Sequence, residues 1–265
     1  MSLITKGRDK EPRCGVLAGI PRPCHHLHVQ QRLPSLIDPP IAFAHRGARA
    51  YAPENTIEAF QLALRLGATG LESDVWVTSD GIAVLDHDGI ARRRGRKIPI
   101  SEMAQTDLPS HIPTLAAMLE AVSGDFDFSL DVKDPAALNA TLDAVRLVKP
   151  ELEPRLWLCH HKWQVVASWR SLTVAKLVDS TRLSRLKEGP ERRAAQLHES
   201  GVDCINMHHS DWNGGLVTLF HRFNRFALGW DMQQDYVLDD GIRMGLDGVF
   251  SDYTDRMIDA FARNV

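Results

Sequence analysis

Eight short runs of strand-forming residues, near 41–45, 70–77, 127–133, 155–159, 173–178, 203–206, 226–230 and 248–251, alternate with stretches of helical spacing. Few folds accommodate that order. Runs such as "IAFA" at 41–44 are continuously apolar, the pattern of parallel strands covered on both faces. Helical periodicity follows near 136–148, 162–170, 190–200, 212–222 and 254–263. A further helix begins where Ile57, Phe60 and Leu64 repeat, with Asn55 three residues before Glu58 in a capping-box-like arrangement and Gly67 as its stop. Eight strands with intervening helices predict an α/β chain folded as a single (β/α)8 TIM barrel. One segment breaks the alternation. "SDG" at 79–81 is a turn signal that would fold "IAVLDH" back on "DVWVT", giving a short β-hairpin excursion after the second strand.

The barrel accounts for residues 39–265. Residues 1–38, rich in Pro, Arg and His and without periodicity, read as a flexible N-terminal extension. Its apolar run "GVLAGI" is too short for a secretory core or a membrane span, so stable membrane insertion is not expected. Cys14, Cys24, His25, His26 and His28 offer zinc-type donors, but their spacing matches no standard ligand pattern and a disordered tail is the preferred reading. The four cysteines are far apart in a chain too large to need disulfides, which favours a reducing, cytoplasmic compartment. A net charge of −3 gives no general attraction for nucleic acid or an anionic membrane, so a small molecule recognised locally is the expected partner.

Chemistry concentrates in "LESDVWVTSDGIAVLDHD", residues 71–88. Buried carboxylates and imidazoles need a compensating partner. In a barrel of this kind catalytic groups sit at the C-terminal ends of strands. His45 closes the first strand, Glu72 and Asp74 lie near the end of the second, Asp131 and Lys133 end the third and Trp230 ends the seventh, so all should meet at one mouth. Period two puts Glu72 and Asp74 on one side of their strand, and Asp131 and Lys133 on one side of theirs.

"AHRG" at 44–47, "PENT" at 53–56, "LESDV" at 71–75, "TSDG" at 78–81 and "DHD" at 86–88 resemble, in order and spacing, the signature of the glycerophosphodiester phosphodiesterase family. "SLDVK" at 129–133 and "GVFSD" at 248–252 resemble its later strands, so the resemblance covers about residues 41–255. It implies metal-dependent hydrolysis of deacylated phospholipids to sn-glycerol 3-phosphate and an alcohol. It also implies that His45 and His87 act as general acid and base, that Glu72, Asp74 and Asp131 hold the metal, and that Arg46 and Lys133 lie near the phosphate. Trp230 matches an aromatic near the glycerol moiety, or is a plain packing residue of the barrel top. Glu54 and Asn55 shape the loop and cap the helix, and Glu54 is placed to orient Arg46 or a histidine.

The chemistry fits these roles. Phosphodiester hydrolysis develops charge on the non-bridging oxygens and the leaving alkoxide, which a divalent ion with Arg and Lys can stabilise, while histidine moves protons near neutral pH. An all-oxygen ligand set suits one divalent cation, Mg²⁺ or Ca²⁺, better than zinc. Asp131 departs from the glutamate more usual at this position of the family.

Three other readings stand beside this one: the same fold acting on lysophospholipids, a catalytically silent binding barrel and a sugar-phosphate isomerase. His160, His161, His208 and His209 either line the mouth or are solvated loop residues. "RRRGRK" at 92–97 reads as a solvated turn near the entrance, and the short span from His87 to Thr114 leaves the mouth open to small soluble diesters.

Overall fold

The computed structural model describes residues 32–93 and 95–265. Eight parallel strands form the barrel: β1 (Ile41–Ala44), β2 (Gly70–Val77), β6 (Asp127–Val132), β7 (Leu156–His160), β8 (Lys176–Thr181), β9 (Cys204–His208), β10 (Phe226–Trp230) and β11 (Gly248–Ser251). β1 pairs with both β11 and β2, which closes the sheet. The excursion strand β3 (Ala83–Leu85) runs antiparallel to β2, with Val75 opposite Leu85, as the turn signal required.

Strand parity divides the core. Ala42 and Ala44 of β1 face the helices, whereas Ile41 and Phe43 face inward and join Trp157, Cys159, Val178, Cys204, Leu228 and Phe250 in the barrel interior. Phe43 stacks on Phe250 at 4.6 Å and meets Trp157 edge-on at 6.0 Å, so aromatic rings fill the lower interior. Above this plug the inward positions become polar, and the cavity begins there. Helices α1 (Ile57–Arg65), α3 (Ala137–Val148), α4 (Trp163–Ser168), α5 (Pro190–Glu199), α6 (Gly214–Arg222) and α8 (Thr254–Asn264) match the sequence periodicity.

Several local features differ from the sequence reading. The N-cap of α1 is Thr56, whose Oγ1 accepts from the Ala59 N–H at 3.2 Å. Asn55 instead takes positive φ (57°) and accepts from Ser73 Oγ at 2.8 Å through its buried Oδ1. β8 starts three residues later than expected, because Arg170 binds the Thr173 and Ala175 carbonyls and holds that stretch as a loop. Two helices lay outside the periodic segments: α2 (Leu115–Ala121), only seven residues long, and α7 (Asp235–Arg243), which carries three aspartates and Gly241.

The basic run at 92–97 is part of an antiparallel pair, β4 (Ile90–Arg93) and β5 (Arg96–Pro99), rather than a simple turn. Its arginines hide the strand signal. Arg92, Arg93, Arg96 and Lys97 are exposed, while Ala91 and Ile98 pack with Val84, Ile100 and Met103 into a small satellite core.

Cys14, Cys24, His25, His26 and His28, for which the sequence favours a disordered tail over a zinc site, lie outside the described residues. Within 32–38, Leu33 donates to the Arg243 carbonyl at 2.8 Å, and the Leu36 and Ile37 amides donate to Asp247 Oδ1. Asp247 also receives the Ala227 amide at 2.7 Å and contacts His221 Nε2 at 2.8 Å, so this fully buried carboxylate ties that segment to the bases of β10 and β11. No helix among the described residues is long and apolar enough to cross a membrane.

Candidate active site

Alternation and register assemble the site. Glu72 and Asp74 of β2 face inward while Leu71, Ser73 and Val75 face outward, and on β6 Ser129 and Asp131 face inward. Asp74 is level with Asp131, and Asp131 with Cys159, so three neighbouring strands present their side chains in one layer. Ser180 is level with Asn206, and Trp230 with His208, on the far side. The cavity above the aromatic plug has a volume of about 420 Å³ and is lined by His45, Arg46, Glu72, Asp74, His87, Asp131, Lys133 and Trp230, among others. All the residues expected to carry catalysis, metal ligation and phosphate binding therefore border one space.

The turn after β1 is shaped by backbone geometry. Gly47 takes φ +78°, and a Cβ there would lie 2.7 Å from the Ala59 carbonyl carbon, so helix α1 approaches the turn as closely as glycine allows. Arg46 is itself at positive φ (53°), which turns its amide onto Glu72 Oε2 at 2.9 Å. Its guanidinium is held by both Glu54 oxygens at 3.0 and 3.1 Å, and its Nε lies 3.4 Å from Asp74 Oδ2. Glu54 thus orients Arg46, while Asn55 braces the loop against β2.

His45 Nδ1 lies 2.6 Å from Asp252 Oδ1, at the end of β11, and its Nε2 lies 3.8 Å from Glu72 Oε2. A carboxylate on Nδ1 fixes that proton and leaves Nε2 to the cavity. Burial works against the charged ring, yet Glu72 and Asp252 outweigh it and raise its pKa above the ordinary histidine value. Burial also pushes the Glu72 carboxyl up to about 7; Asp74 and Asp131 add to the rise, while His45 and the Arg46 amide oppose it.

Lys133 Nζ sits 2.9 Å from Asp74 Oδ1 and 2.5 Å from Asp131 Oδ2, joining the two acids. Burial alone would lower the Lys133 pKa, but the two carboxylates raise it instead. Asp74 Oδ2 is buried without a hydrogen-bond partner, and the local donor set is all oxygen. That chemistry fits a hard divalent cation. The three acids are nevertheless not drawn into one tight set. Among the described residues, the three His, Cys, Asp or Glu ligand atoms that all lie within 4.8 Å of one another belong to His208, His209 and Asp231.

His87 follows β3 on a loop anchored by the Asp86 amide to the Asp74 carbonyl at 3.1 Å. Its side chain is 39% exposed, with Nδ1 2.8 Å from Asp88 Oδ1, so this imidazole is open to solvent. Trp230 borders the cavity and packs edge-on against His208 at 4.7 Å, so it meets both the cavity and the barrel top. The paired histidines separate by parity. His160 is buried on the outward face of β7 beside Trp169, whereas His208 continues the inward row of β9.

Sequence reasoning missed Asp252, although "GVFSD" places this carboxylate just past a strand end, where barrel sites collect. It also missed Arg49, 3.8 Å from Asp252 Oδ1, and Gln233, whose Oε1 accepts from the Asp252 amide at 2.9 Å. Ser129, Ser180 and Asn206 in the cavity wall carry no local sequence signal; only strand parity reveals them.

Comparison with known proteins bears on the family and the fold. The model of the Glycerophosphoryl diester phosphodiesterase family matches residues 45–256. The Glycerophosphodiester phosphodiesterase of Bacillus altitudinis is 24% identical over 241 residues, covering 82% of this chain and 96% of that protein. Glycerophosphodiester phosphodiesterase 1 of Rattus norvegicus is 32% identical over 148 residues, 49% of this chain and 45% of the rat protein. An Oleispira antarctica phosphodiesterase, solved in complex with the product sn-glycerol-3-phosphate, superposes with a TM-score of 0.73 at 22% identity, covering 84% of this chain and 97% of that one.

Proposed function

The chain belongs to the glycerophosphoryl diester phosphodiesterase family, and on that premise we propose that it hydrolyses glycerophosphodiesters to sn-glycerol 3-phosphate and an alcohol, with one divalent cation, Mg²⁺ or Ca²⁺. The observation that carries this reading is the shared cavity, in which His45 and His87 face the Glu72, Asp74 and Asp131 carboxylates beside Arg46 and Lys133. The product seen in the Oleispira antarctica phosphodiesterase is the one this reaction would release.

Glu72, Asp74 and Asp131 would hold the cation; the buried Asp74 Oδ2, which has no hydrogen bond and only a 3.4 Å contact with Arg46 Nε, and the elevated Glu72 pKa support that role. When bound, the ion supplies Lewis-acid stabilisation of charge on the phosphoryl oxygens. Arg46 and Lys133 add positive charge where non-bridging oxygens become more negative. His45, with Nδ1 committed to Asp252, exchanges a proton through Nε2, and His87 serves as the second proton carrier. Apart from Cys159, Trp230 and Phe250, the residues lining the cavity are polar or charged types, with no run of aliphatic side chains for a long acyl chain, which favours small diesters.

The test is release of glycerol 3-phosphate from glycerophosphocholine, glycerophosphoethanolamine and glycerophosphoglycerol by metal-stripped protein, with Mg²⁺ or Ca²⁺ restored and folded His45→Ala as control. Metal-dependent turnover lost in the control supports the reading. Absence of turnover with every ion and diester, in folded protein, would overturn it.

A further inference from the structure

Across the mouth from the carboxylate wall, His208, His209 and Asp231 form a cluster that the proposed hydrolysis does not use. β9 and β10 run side by side with His208 level with Trp230, so the next residues, His209 and Asp231, leave the barrel together. Asp231 is a non-glycine residue at φ +63°, a conformation that costs on the order of 1–3 kcal/mol and so must be imposed by its surroundings. In that conformation its Oδ2 lies 3.1 Å from His208 Nε2.

We propose that His208, His209 and Asp231 form a second metal site, for a borderline first-row transition ion with Zn²⁺ the best match. The chemistry differs from that of the carboxylate wall, since two imidazoles and one carboxylate favour such ions over Mg²⁺ or Ca²⁺. Three protein ligands leave a fourth position open, and Asp231 borders the cavity, so the ion lies at its rim. The spacing is also suitable. Zinc–ligand bonds of about 2.0–2.1 Å place tetrahedral ligand atoms roughly 3.3 Å apart, close to the 3.1 Å between His208 Nε2 and Asp231 Oδ2. All three ligand atoms already lie within 4.8 Å of one another.

The outer partners fit as well. His208 Nδ1 is 2.8 Å from Ser210 Oγ and also receives the Ser210 amide at 3.2 Å, a pattern that leaves the ring proton on Nε2, shared with Asp231. An ion between Nε2 and Oδ2 takes that proton's place; the ring proton then sits on Nδ1 and is donated to Ser210 Oγ, and the 3.2 Å contact from the Ser210 amide to Nδ1 is given up. The nearby cation Arg182, 5.8 Å from the Trp230 ring, is paired with Asp211 at 2.5 Å, which limits its repulsion of a bound ion.

The site does not depend on the hydrolase reading, and its test needs no activity. Co²⁺ serves as the optical probe in full-length protein, with Zn²⁺ as the competitor, and calorimetry counts the bound equivalents. The N-terminal donors are silenced in the same chain by Cys14→Ser, Cys24→Ser, His25→Gln, His26→Gln and His28→Gln. The expected result is a ligand-field band and one equivalent that survive those changes and Glu72→Gln, resist excess Mg²⁺, and disappear in both His209→Gln and Asp231→Asn. Ser210→Ala should weaken binding by roughly 10- to 100-fold. A band untouched by His209→Gln and Asp231→Asn, abolished by the N-terminal changes alone, or displaced by Mg²⁺ would overturn the proposal; circular dichroism confirms that each variant is folded.

Discussion

Asp252→Asn isolates the contact that gives His45 its character. The 2.6 Å pair between His45 Nδ1 and Asp252 Oδ1 is a hydrogen bond to a charged group, worth about 1.5–3 kcal/mol against about 1 kcal/mol for a neutral amide. Replacing the carboxylate with an isosteric amide therefore removes roughly 0.5–2 kcal/mol from the imidazolium. At 1.36 kcal/mol per pKa unit, the His45 pKa should fall by about one unit. Asp252 and Glu72 together raise that pKa, so loss of one acid moves it downward, and the limb of the pH–rate profile controlled by His45 should shift to lower pH. If His45 exchanges a proton in the transition state, kcat should fall by about 2- to 30-fold with little change in KM. The assay is glycerol 3-phosphate release across pH at saturating cation, alongside a thermal melt. A folded variant with wild-type kcat and an unshifted profile would refute the reasoning, because it would mean that Asp252 neither charges nor orients the catalytic imidazole.

Lys133→Met should lower the melting temperature of metal-free protein by the equivalent of roughly 1–3 kcal/mol, because Asp74 and Asp131 lose their shared ammonium, and added Mg²⁺ or Ca²⁺ should recover much of it; an equal loss with and without cation would contradict this. Arg193→Met strands Asp179, a fully buried acid whose pKa burial already lifts to about 6, and should cost about 3–5 kcal/mol at neutral pH. Arg193 holds that pKa down, so its loss lifts the Asp179 carboxyl further, and the deficit should shrink as pH falls from neutral toward about 6 and level off below it, where both proteins carry a neutral Asp179, which melts at several pH values would reveal. Gly47→Ala combines a +78° φ with a 2.7 Å approach to helix α1 and should cost roughly 2–4 kcal/mol, read as a lower denaturant midpoint.

The sequence by itself determined the barrel and most of its chemistry. Continuous apolar runs such as "IAFA" require strands covered on both faces, and period two assigns Glu72, Asp74 and Asp131 to one side of their strands before any fold is drawn. Elements whose local signal is weak or masked were not legible. Arginines concealed β4 and β5, three aspartates and a glycine concealed α7, and Thr56 took the cap that Asn55 resembled. Only the tertiary structure decided which distant groups meet. Asp252 reaches His45 across 207 positions because β11 closes against β1, and His208 meets Asp231 because β9 and β10 pair in register. Local sequence fixes the direction of a side chain along its own strand, whereas its partners depend on barrel closure and on the stagger between strands, which no single segment encodes.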